Sequence, residues 1–206
     1  MKHSWLFSIL LLVTPAVYGA NPPQDAVVEV KISFGIPGPL SLIPSQSVCT
    51  GFFVSRTGNV LTANHCVPED SFEVTIITTS KETYTAQVVG RDEVHDLALL
   101  DTVACDTQPI KLAKKNPRLG NPVQTIGHPS GLLHIFRHGY VARIFGEETM
   151  WDIGVLPGSS GSPVMDKHGR LVGVITRLRT WNNAYTGLAK GPNLYAIKDF
   201  LDKWQL

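Results

Sequence analysis

Short apolar runs separated by turn residues make up most of the chain. Residues 27–32 alternate between apolar and polar side chains, which is typical of a strand with one buried face. Similar runs occur at 48–55, 60–63, 72–78, 84–90 and 97–102, and then at 122–126, 132–137, 139–145, 149–153, 163–166, 170–177 and 194–197. Residues 198–204 are the one short stretch with a helical pattern. Roughly a dozen short strands with so little helix predict an all-β protein, either a sandwich or a pair of barrels.

The alternation is lost between the two sets of strands. Residues 107–121 carry several lysines and show no regular pattern of apolar positions. We therefore predict that 107–121 is a linker, which joins an N-terminal unit, 21–106, to a C-terminal unit, 122–206.

The first twenty residues have the pattern of a signal peptide. Lys2 gives a positive start, residues 5–13 are apolar, and small residues at 17–20 offer a cleavage site, preferably after Gly19. An uncleaved anchor is the alternative, but the apolar run is shorter than the ~20 residues that span a bilayer. We expect an exported protein, periplasmic or secreted, with no stable membrane association after the leader is removed.

Composition gives no reason to expect a nucleic-acid partner. The 206 residues are 43% hydrophobic and 17% charged, which is enough apolar mass for a core. Without Lys2 the chain has 17 basic residues (18 − 1) and 17 acidic residues, so it is near neutral. No strong field toward nucleic acid or anionic lipid follows from that balance.

Three cysteines remain in the exported chain. Cys49 and Cys66 lie on either side of a hairpin formed by 48–55 and 60–63, so the two thiols can face each other and form a disulfide. A bridge that closes a loop of this length contributes about 3 kcal/mol to stability. Cys105 is left over, and we expect a buried free thiol there rather than an intermolecular bridge.

A loop near the C-terminal third concentrates glycine, proline and serine. Residues 156–163 have the sequence Leu-Pro-Gly-Ser-Ser-Gly-Ser-Pro between two apolar runs. Gly158 and Gly161 permit a tight turn that exposes Ser160. The N–H groups of Gly158 and Ser160 can then point into one volume and bind an oxyanion. An ordinary surface loop is the alternative.

A nucleophilic serine needs a histidine base and a carboxylate that orients it. His65 ends the apolar run 60–63, where a lone histidine is more often structural. Asp96 directly precedes the run 97–102, where an acid often caps a turn. The catalytic interpretation is that Asp96 accepts a hydrogen bond from one ring nitrogen of His65. We interpret the adjacent His95 as a solvated neighbour.

Together these segments resemble a known family. The motifs Thr-Ala-Asn-His-Cys at 62–66, Asp-Leu-Ala-Leu-Leu at 96–100 and Gly-Ser-Ser-Gly-Ser-Pro at 158–163 resemble, in that order, those of the chymotrypsin-like (trypsin-fold) serine peptidases. Segments 126–129, 169–175 and 195–197 extend the resemblance over most of the chain, which is most similar to the bacterial HtrA-type and glutamyl (V8-like) protease domains.

The resemblance implies two six-stranded antiparallel β-barrels, a short C-terminal helix and a cleft between the barrels. It implies that Ser160 is the nucleophile, His65 the general base and Asp96 its orienter, with Gly158 and Ser160 forming the oxyanion hole. It implies no cofactor and no metal, and a protein or peptide as substrate. A catalytically silent peptide-binding module and an esterase with the same triad are the alternatives.

Two departures from the family pattern change the expectations. Ser159 stands where many digestive members have an aspartate that pairs with a freed N-terminus, so we expect no activation by that route. The sequence given has no PDZ segment after residue 206, unlike full HtrA proteins, so we expect a protease domain without that module.

Specificity is assigned to the segment before Ser160 and to the strand near Ile175. Gly154, Val155 and Ile175 are the candidate lining of the P1 pocket, and the absence of an acid argues against Lys or Arg at P1. Ile175 stands where the glutamyl endopeptidases have a histidine, so a strict glutamate preference is not expected, and the apolar lining favours an apolar P1 residue. The insert 180–191 either overhangs the cleft or forms a surface loop.

Overall fold

The fold is described from a computed structural model that covers residues 23–34, 45–69, 71, 73–103, 108–182 and 184–206. The predicted signal peptide, 1–20, and Cys105 lie outside these residues.

Six antiparallel strands form a closed barrel in the first half of the chain. The strands are β1 (Val27–Phe34), β2 (Ser45–Phe53), β3 (Val60–Ala63), β4 (Glu73–Ile77), β5 (Thr83–Asp92) and β6 (Leu97–Thr102). They pair in the order β1-β2-β3-β6-β5-β4. Inward-facing apolar side chains fill the barrel, among them Ile32, Phe53, Val60 and Leu100. The barrel is closed because β4 returns to pair with β1.

Seven strands form a single curled sheet in the second half. They are β7 (Pro122–Gly127), β8 (Ile135–Phe145), β9 (Glu148–Asp152), β10 (Pro163–Met165), β11 (Leu171–Val174), β12 (Arg177–Trp181) and β13 (Ala184–Pro192), in the order β11-β10-β7-β8-β9-β13-β12. The two end strands, β11 and β12, are consecutive in the chain. Ile175 N–H donates to the Ser162 carbonyl on one side, and Thr176 N–H donates to the Lys190 carbonyl on the other. The segment between β11 and β12 therefore contacts both ends of the curled sheet, and its interruption gives seven strands where six were predicted.

Three local predictions are corrected by the structure. Residues 194–197 were expected to be a strand, but they begin helix α1 (Leu194–Asp202). Asn193 caps this helix, since its Oδ1 accepts the Tyr195 N–H at 2.9 Å. The insert 180–191 is part of the β12–β13 hairpin rather than a loop. The runs 132–137 and 139–145, which were expected to be two strands, contribute to one continuous strand, β8.

A second hydrophobic cluster joins the two sheets. Phe52, Leu61 and Leu99 of the barrel are buried against side chains of the second sheet and of α1, which include Ile126, Met165, Leu171, Val174, Ile197 and Phe200. Full burial of each such side chain contributes about 1.5–3 kcal/mol. This shared core fixes the barrel relative to the sheet, and hence fixes the residues on either side of the cleft.

The segment predicted as a linker is packed where it is described. Ile110 N–H donates to the Phe53 carbonyl of the barrel, and Leu171 of β11 exchanges backbone hydrogen bonds with Lys111 and Ala113. The segment therefore contacts both halves of the molecule. The unit boundaries at 106/107 and 121/122 stay a prediction.

Candidate active site

His65 lies in a single 3₁₀ turn, Asn64–Cys66, directly after β3. A disulfide joins Cys66 to Cys49 of β2, with a Cα–Cα distance of 6.1 Å. The predicted disulfide is therefore present, although Cys66 lies in the turn rather than on the strand. The bridge ties the turn that carries His65 to the wall of the barrel. Arg91 Nη1 adds a second tie by donating to Asn64 Oδ1 at 2.6 Å.

Asp96 is held at the start of β6 in a left-handed backbone conformation, with φ of +58°. Such a conformation is unusual for a residue other than glycine, although aspartate tolerates it better than most. The Asp96 side chain is 11% exposed, and its carboxylate accepts two hydrogen bonds from His65. Backbone N–H donates to Oδ1 at 2.9 Å, and ring Nδ1 lies 2.8 Å from Oδ2. The Asp96 carbonyl also accepts the Asn64 N–H, which ties the backbone of Asp96 to the turn that carries His65.

Ser160 completes a linear array of side chains. His65 Nε2 lies 3.0 Å from Ser160 Oγ, across the cleft between the two sheets. When Nδ1–H donates to the acceptor-only carboxylate of Asp96, Nε2 is unprotonated and can accept the hydroxyl proton. The structure thus brings together the three residues that the sequence singled out.

The loop that carries Ser160 depends on two glycines. Gly158 has φ of +93° and Gly161 has φ of +83°, values that only glycine adopts readily. A Cβ on Gly158 would lie 2.6 Å from the His128 carbonyl oxygen. Ser159 N–H donates to the Leu156 carbonyl at 3.0 Å, which closes the turn just before the serine.

The amides of Gly158 and Ser160 are free to bind a ligand. Neither N–H donates to an acceptor in the part of the chain that the structure describes. The Pro157 carbonyl accepts the Ser130 N–H at 2.7 Å. In a trans peptide the carbonyl and the N–H point in opposite directions, so this bond turns the Gly158 N–H away from Ser130.

Buried residues beneath the loop were not identified from the sequence. Thr50 of β2 is fully buried, and its hydroxyl lies 3.0 Å from the Gly158 carbonyl and 2.9 Å from the His128 amide nitrogen. Its own N–H donates to the Ser160 carbonyl at 2.8 Å. These partners are 78 to 110 residues away in the chain, so no local pattern indicates them.

His128 is buried beside this network. Burial, together with the charge of neighbouring His134, lowers the pKa of His128 to about 4. Its ring packs edge-on against His134, with centroids 4.7 Å apart. A neutral imidazole therefore lies behind the loop at physiological pH.

His95 is not the solvated neighbour that the sequence predicted. It is half-buried, with Nδ1 2.8 Å from Asp92 Oδ2 and Nε2 3.1 Å from Glu147 Oε2. Burial alone would lower the pKa of His95, but hydrogen bonds to the two carboxylates and their charges raise it. Because Glu147 lies between β8 and β9, the pair links the barrel to the second sheet.

The three candidate pocket residues lie near the loop in different environments. Gly154 is half-buried with φ of +52°, and its N–H donates to the Gly187 carbonyl. Val155 and Ile175 are buried in the core of the second sheet. The Ile175 carbonyl accepts the Gly161 N–H at 2.7 Å, so its backbone touches the serine loop. Their contact with a P1 side chain stays a prediction.

No group of three or more His, Cys, Asp or Glu side chains in the part of the chain that the structure describes is arranged to hold a metal ion. No helix among the described elements is long and apolar enough to span a bilayer.

The family and the curated proteins that this chain resembles are all peptidases. Residues 49–174 match the sequence pattern of the trypsin-like peptidase domain. A probable periplasmic serine endoprotease, DegP-like, from Hahella chejuensis is 31% identical over 186 residues, which cover 84% of this chain and 39% of that protein. A protein of the same description from Pseudomonas fulva is 30% identical over 168 residues, which cover 77% of this chain and 35% of that protein. The chain thus spans less than two fifths of these curated relatives.

Solved structures have the same fold. The serine endoprotease from Yersinia pestis superposes with a TM-score of 0.74 at 22% identity, over 88% of this chain and 63% of that chain. An HtrA-type protease with a tripeptide gives a TM-score of 0.75 at 20% identity, over 87% of this chain and 60% of that chain. The predicted all-β chymotrypsin-like fold is confirmed by these likenesses.

Proposed function

The chain belongs to the family of trypsin-like peptidase domains, and we propose that it is an exported serine endopeptidase. The observation that carries the proposal is the array in which Asp96, His65 and Ser160 are linked at 2.8 and 3.0 Å. The amides of Gly158 and Ser160, which donate to no acceptor among the described residues, belong to the same turn as the nucleophile, which supports acyl transfer rather than a purely structural role.

The proposed reaction begins with attack of Ser160 Oγ on the scissile carbonyl carbon. His65 Nε2 takes the hydroxyl proton, and Asp96 stabilises the imidazolium that forms. The amides of Gly158 and Ser160 bind the oxyanion of the tetrahedral intermediate. His65 then gives the proton to the leaving amine as the C–N bond breaks, which leaves an acyl-enzyme. Water attacks the ester with His65 as base, and the acid product leaves with Ser160 restored.

An apolar P1 residue is the proposed preference. Val155 and Ile175 supply aliphatic side chains next to the serine loop, and both are buried in an apolar cluster. Each methylene of a substrate side chain buried there contributes about 0.8 kcal/mol. The exposed Arg177 and Arg179 of β12 favour acidic residues at neighbouring subsites, with a smaller effect because solvent screens them.

Export follows from the predicted signal peptide and agrees with the periplasmic relatives.

We also propose that no freed N-terminus is needed for activity. Ser159 is buried and fixed by backbone hydrogen bonds to Leu156 and Ser162, so its position does not depend on a buried terminal ammonium. The Ser130 and Thr50 contacts hold the loop instead.

Cleavage of casein and of fluorogenic peptides tests the proposal. Ser160→Ala should abolish turnover apart from a weak residual rate. Ser162→Ala is the matched control, because Ser162 is two residues away, fully buried and without a hydrogen-bond partner for its hydroxyl in the described chain. Normal casein cleavage by purified Ser160→Ala would contradict the triad. Hydrolysis of esters without any peptide cleavage would favour the esterase, and no turnover by the wild type would favour the silent peptide-binding module.

A further inference from the structure

We propose that the Thr50 hydroxyl is a positioning residue for the oxyanion hole. The inference rests on the proposed function and names the group in the first barrel that holds the serine loop in its productive conformation. Thr50 touches no reacting atom, so its effect on the reaction passes through Gly158 and Ser160.

Thr50 contacts the loop on both sides of the nucleophile. Its hydroxyl lies 3.0 Å from the Gly158 carbonyl oxygen, two residues before Ser160. Its N–H donates to the Ser160 carbonyl at 2.8 Å. One residue of β2 therefore fixes two carbonyls of the loop, and both belong to the residues whose amides form the proposed hole.

The direction of the Thr50 hydroxyl proton is determined by its second partner. The His128 N–H donates to Thr50 Oγ1 at 2.9 Å, so that oxygen acts as an acceptor there. The hydroxyl proton is then available for the Gly158 carbonyl, which has no proton of its own to donate. Because Thr50 is fully buried, water cannot readily replace this bond.

Thr50 itself is fixed by its surroundings. Thr62 Oγ1 of β3 donates to the Thr50 carbonyl at 2.7 Å, and Thr62 is also fully buried. Threonine is stiff about χ1, so the backbone hold also limits where the hydroxyl points. The barrel therefore presents a preset donor to the loop.

Gly158 is the part of the loop that most needs such support. It adopts φ of +93°, and glycine has wide rotational freedom in the absence of restraints. The Ser130 N–H donates to the Pro157 carbonyl at 2.7 Å, and the Thr50 hydroxyl lies 3.0 Å from the carbonyl oxygen of Gly158 itself. Loss of the second contact frees rotation about ψ of Gly158, so the peptide after Gly158, and with it the Ser160 N–H, loses its fixed orientation relative to the Gly158 N–H, which the Ser130 bond still holds. An oxyanion donor contributes fully only when it is preorganised.

The test compares Thr50→Val, which removes the hydroxyl with little change of shape, with Thr50→Ser, which keeps it. Thr125→Val is the matched control, since Thr125 is also buried and its hydroxyl donates at 2.7 Å to the carbonyl of Pro163, the first residue of β10 and not one whose amide forms the proposed oxyanion hole. Kinetic constants are expressed per active site titrated, so that misfolded protein does not count. Amide ¹H–¹⁵N resonances of Gly158 and Ser160 give a readout that does not need turnover.

We expect Thr50→Val to lower kcat by about 10- to 100-fold with KM within about threefold of wild type. Thr50→Ser should restore kcat to within a few-fold, and Thr125→Val should leave it unchanged at a similar loss of thermal stability. The Gly158 resonance should move in Thr50→Val only. Equal kcat values in the two valine variants, failure of serine to restore the rate, or an unmoved Gly158 resonance would overturn the inference. An inert wild type would instead contradict the proposed function, and the Gly158 resonance would still decide the positioning role.

Discussion

Two aspartate–histidine pairs lie side by side near the cleft, and they share nearly the same geometry. In the pair of His65 and Asp96, Nδ1 lies 2.8 Å from Oδ2 and the histidine N–H donates to Oδ1 at 2.9 Å. In the pair of His95 and Asp92, the same two distances are 2.8 and 3.0 Å. The pairs differ in what the second ring nitrogen meets. His65 Nε2 faces the Ser160 hydroxyl, whereas His95 Nε2 faces the carboxylate of Glu147.

This difference gives the two histidines different roles: His65 can act as a general base, whereas His95 forms ion pairs that link the two sheets. A histidine between two carboxylates is stabilised as the imidazolium, which cannot accept a proton. A histidine between one carboxylate and a hydroxyl can accept the proton of that hydroxyl and share the resulting charge with the carboxylate. The side chain of His65 is 47% exposed, while that of His95 is 19% exposed, so only His65 is open to a substrate. An aspartate–histidine pair is therefore not sufficient evidence of catalysis, and the third partner decides.

The largest expected contrast is between the two aspartates. Asp96→Asn should lower kcat by about 10⁴-fold, because an amide fixes the wrong ring tautomer of His65. Asp92→Asn removes an identical carboxylate from the neighbouring pair and should leave kcat within a few-fold of wild type. Steady-state kinetics on one peptide substrate measure both variants. Comparable losses of kcat in the two variants would mean that the pairs are not functionally distinct.

A smaller contrast concerns stability and pH. The pKa of His95 is raised, so its charged form stabilises the fold fully below the unfolded-state pKa, and this contribution is lost as pH rises through the folded-state pKa. Burial alone would raise the pKa of Asp92, but its bonds to His95 lower it, so the contribution of Asp92 is lost only as pH falls through that lowered value. His95→Gln should therefore lower the free energy of unfolding by about 1 kcal/mol near pH 6, a modest value because Glu147 is partly solvated.

Urea unfolding at pH 6 and at pH 9 measures this effect. The difference between wild type and His95→Gln should shrink at the higher pH, while kcat stays within a few-fold. His168→Gln is the control, since His168 is exposed and its backbone N–H, but not its ring, is hydrogen-bonded within the described residues. A difference that grows with pH would show that His95 is not charged in the folded protein.

Local patterns were sufficient to single out the three residues of the candidate triad and insufficient to identify the residues that hold them in place. The serine loop, the turn with His65 and the acid before β6 each have a recognisable context of glycine, cysteine or apolar residues within a few positions. Thr50 has no such context, because its buried hydroxyl acquires its role from a carbonyl more than a hundred residues away. His95 was misinterpreted for the same reason, since Glu147 lies 52 residues further along the chain.

The wrong predictions of secondary structure fall in short segments whose local pattern fits more than one kind of element. Residues 194–197 are apolar enough for a strand, and only the spacing of buried positions at 194, 197, 200 and 201 indicates the helix. The segment 180–191 contains glycine and asparagine, which favour a loop, but backbone pairing of β13 with β12 at 184–185 and with β9 from 188 onward keeps most of it in strands. Tertiary pairing outweighs local propensity in such segments.

The most direct test of the account is where a fluorophosphonate attaches. The reagent phosphonylates a serine only when a neighbouring base activates it, so peptide mapping by mass spectrometry identifies the activated residue itself. The account predicts a single adduct on Ser160 in the wild type and in Asp92→Asn, with labelling strongly slowed in Asp96→Asn. An adduct on another serine, no adduct in folded wild type, or equal labelling of the two aspartate variants would contradict it.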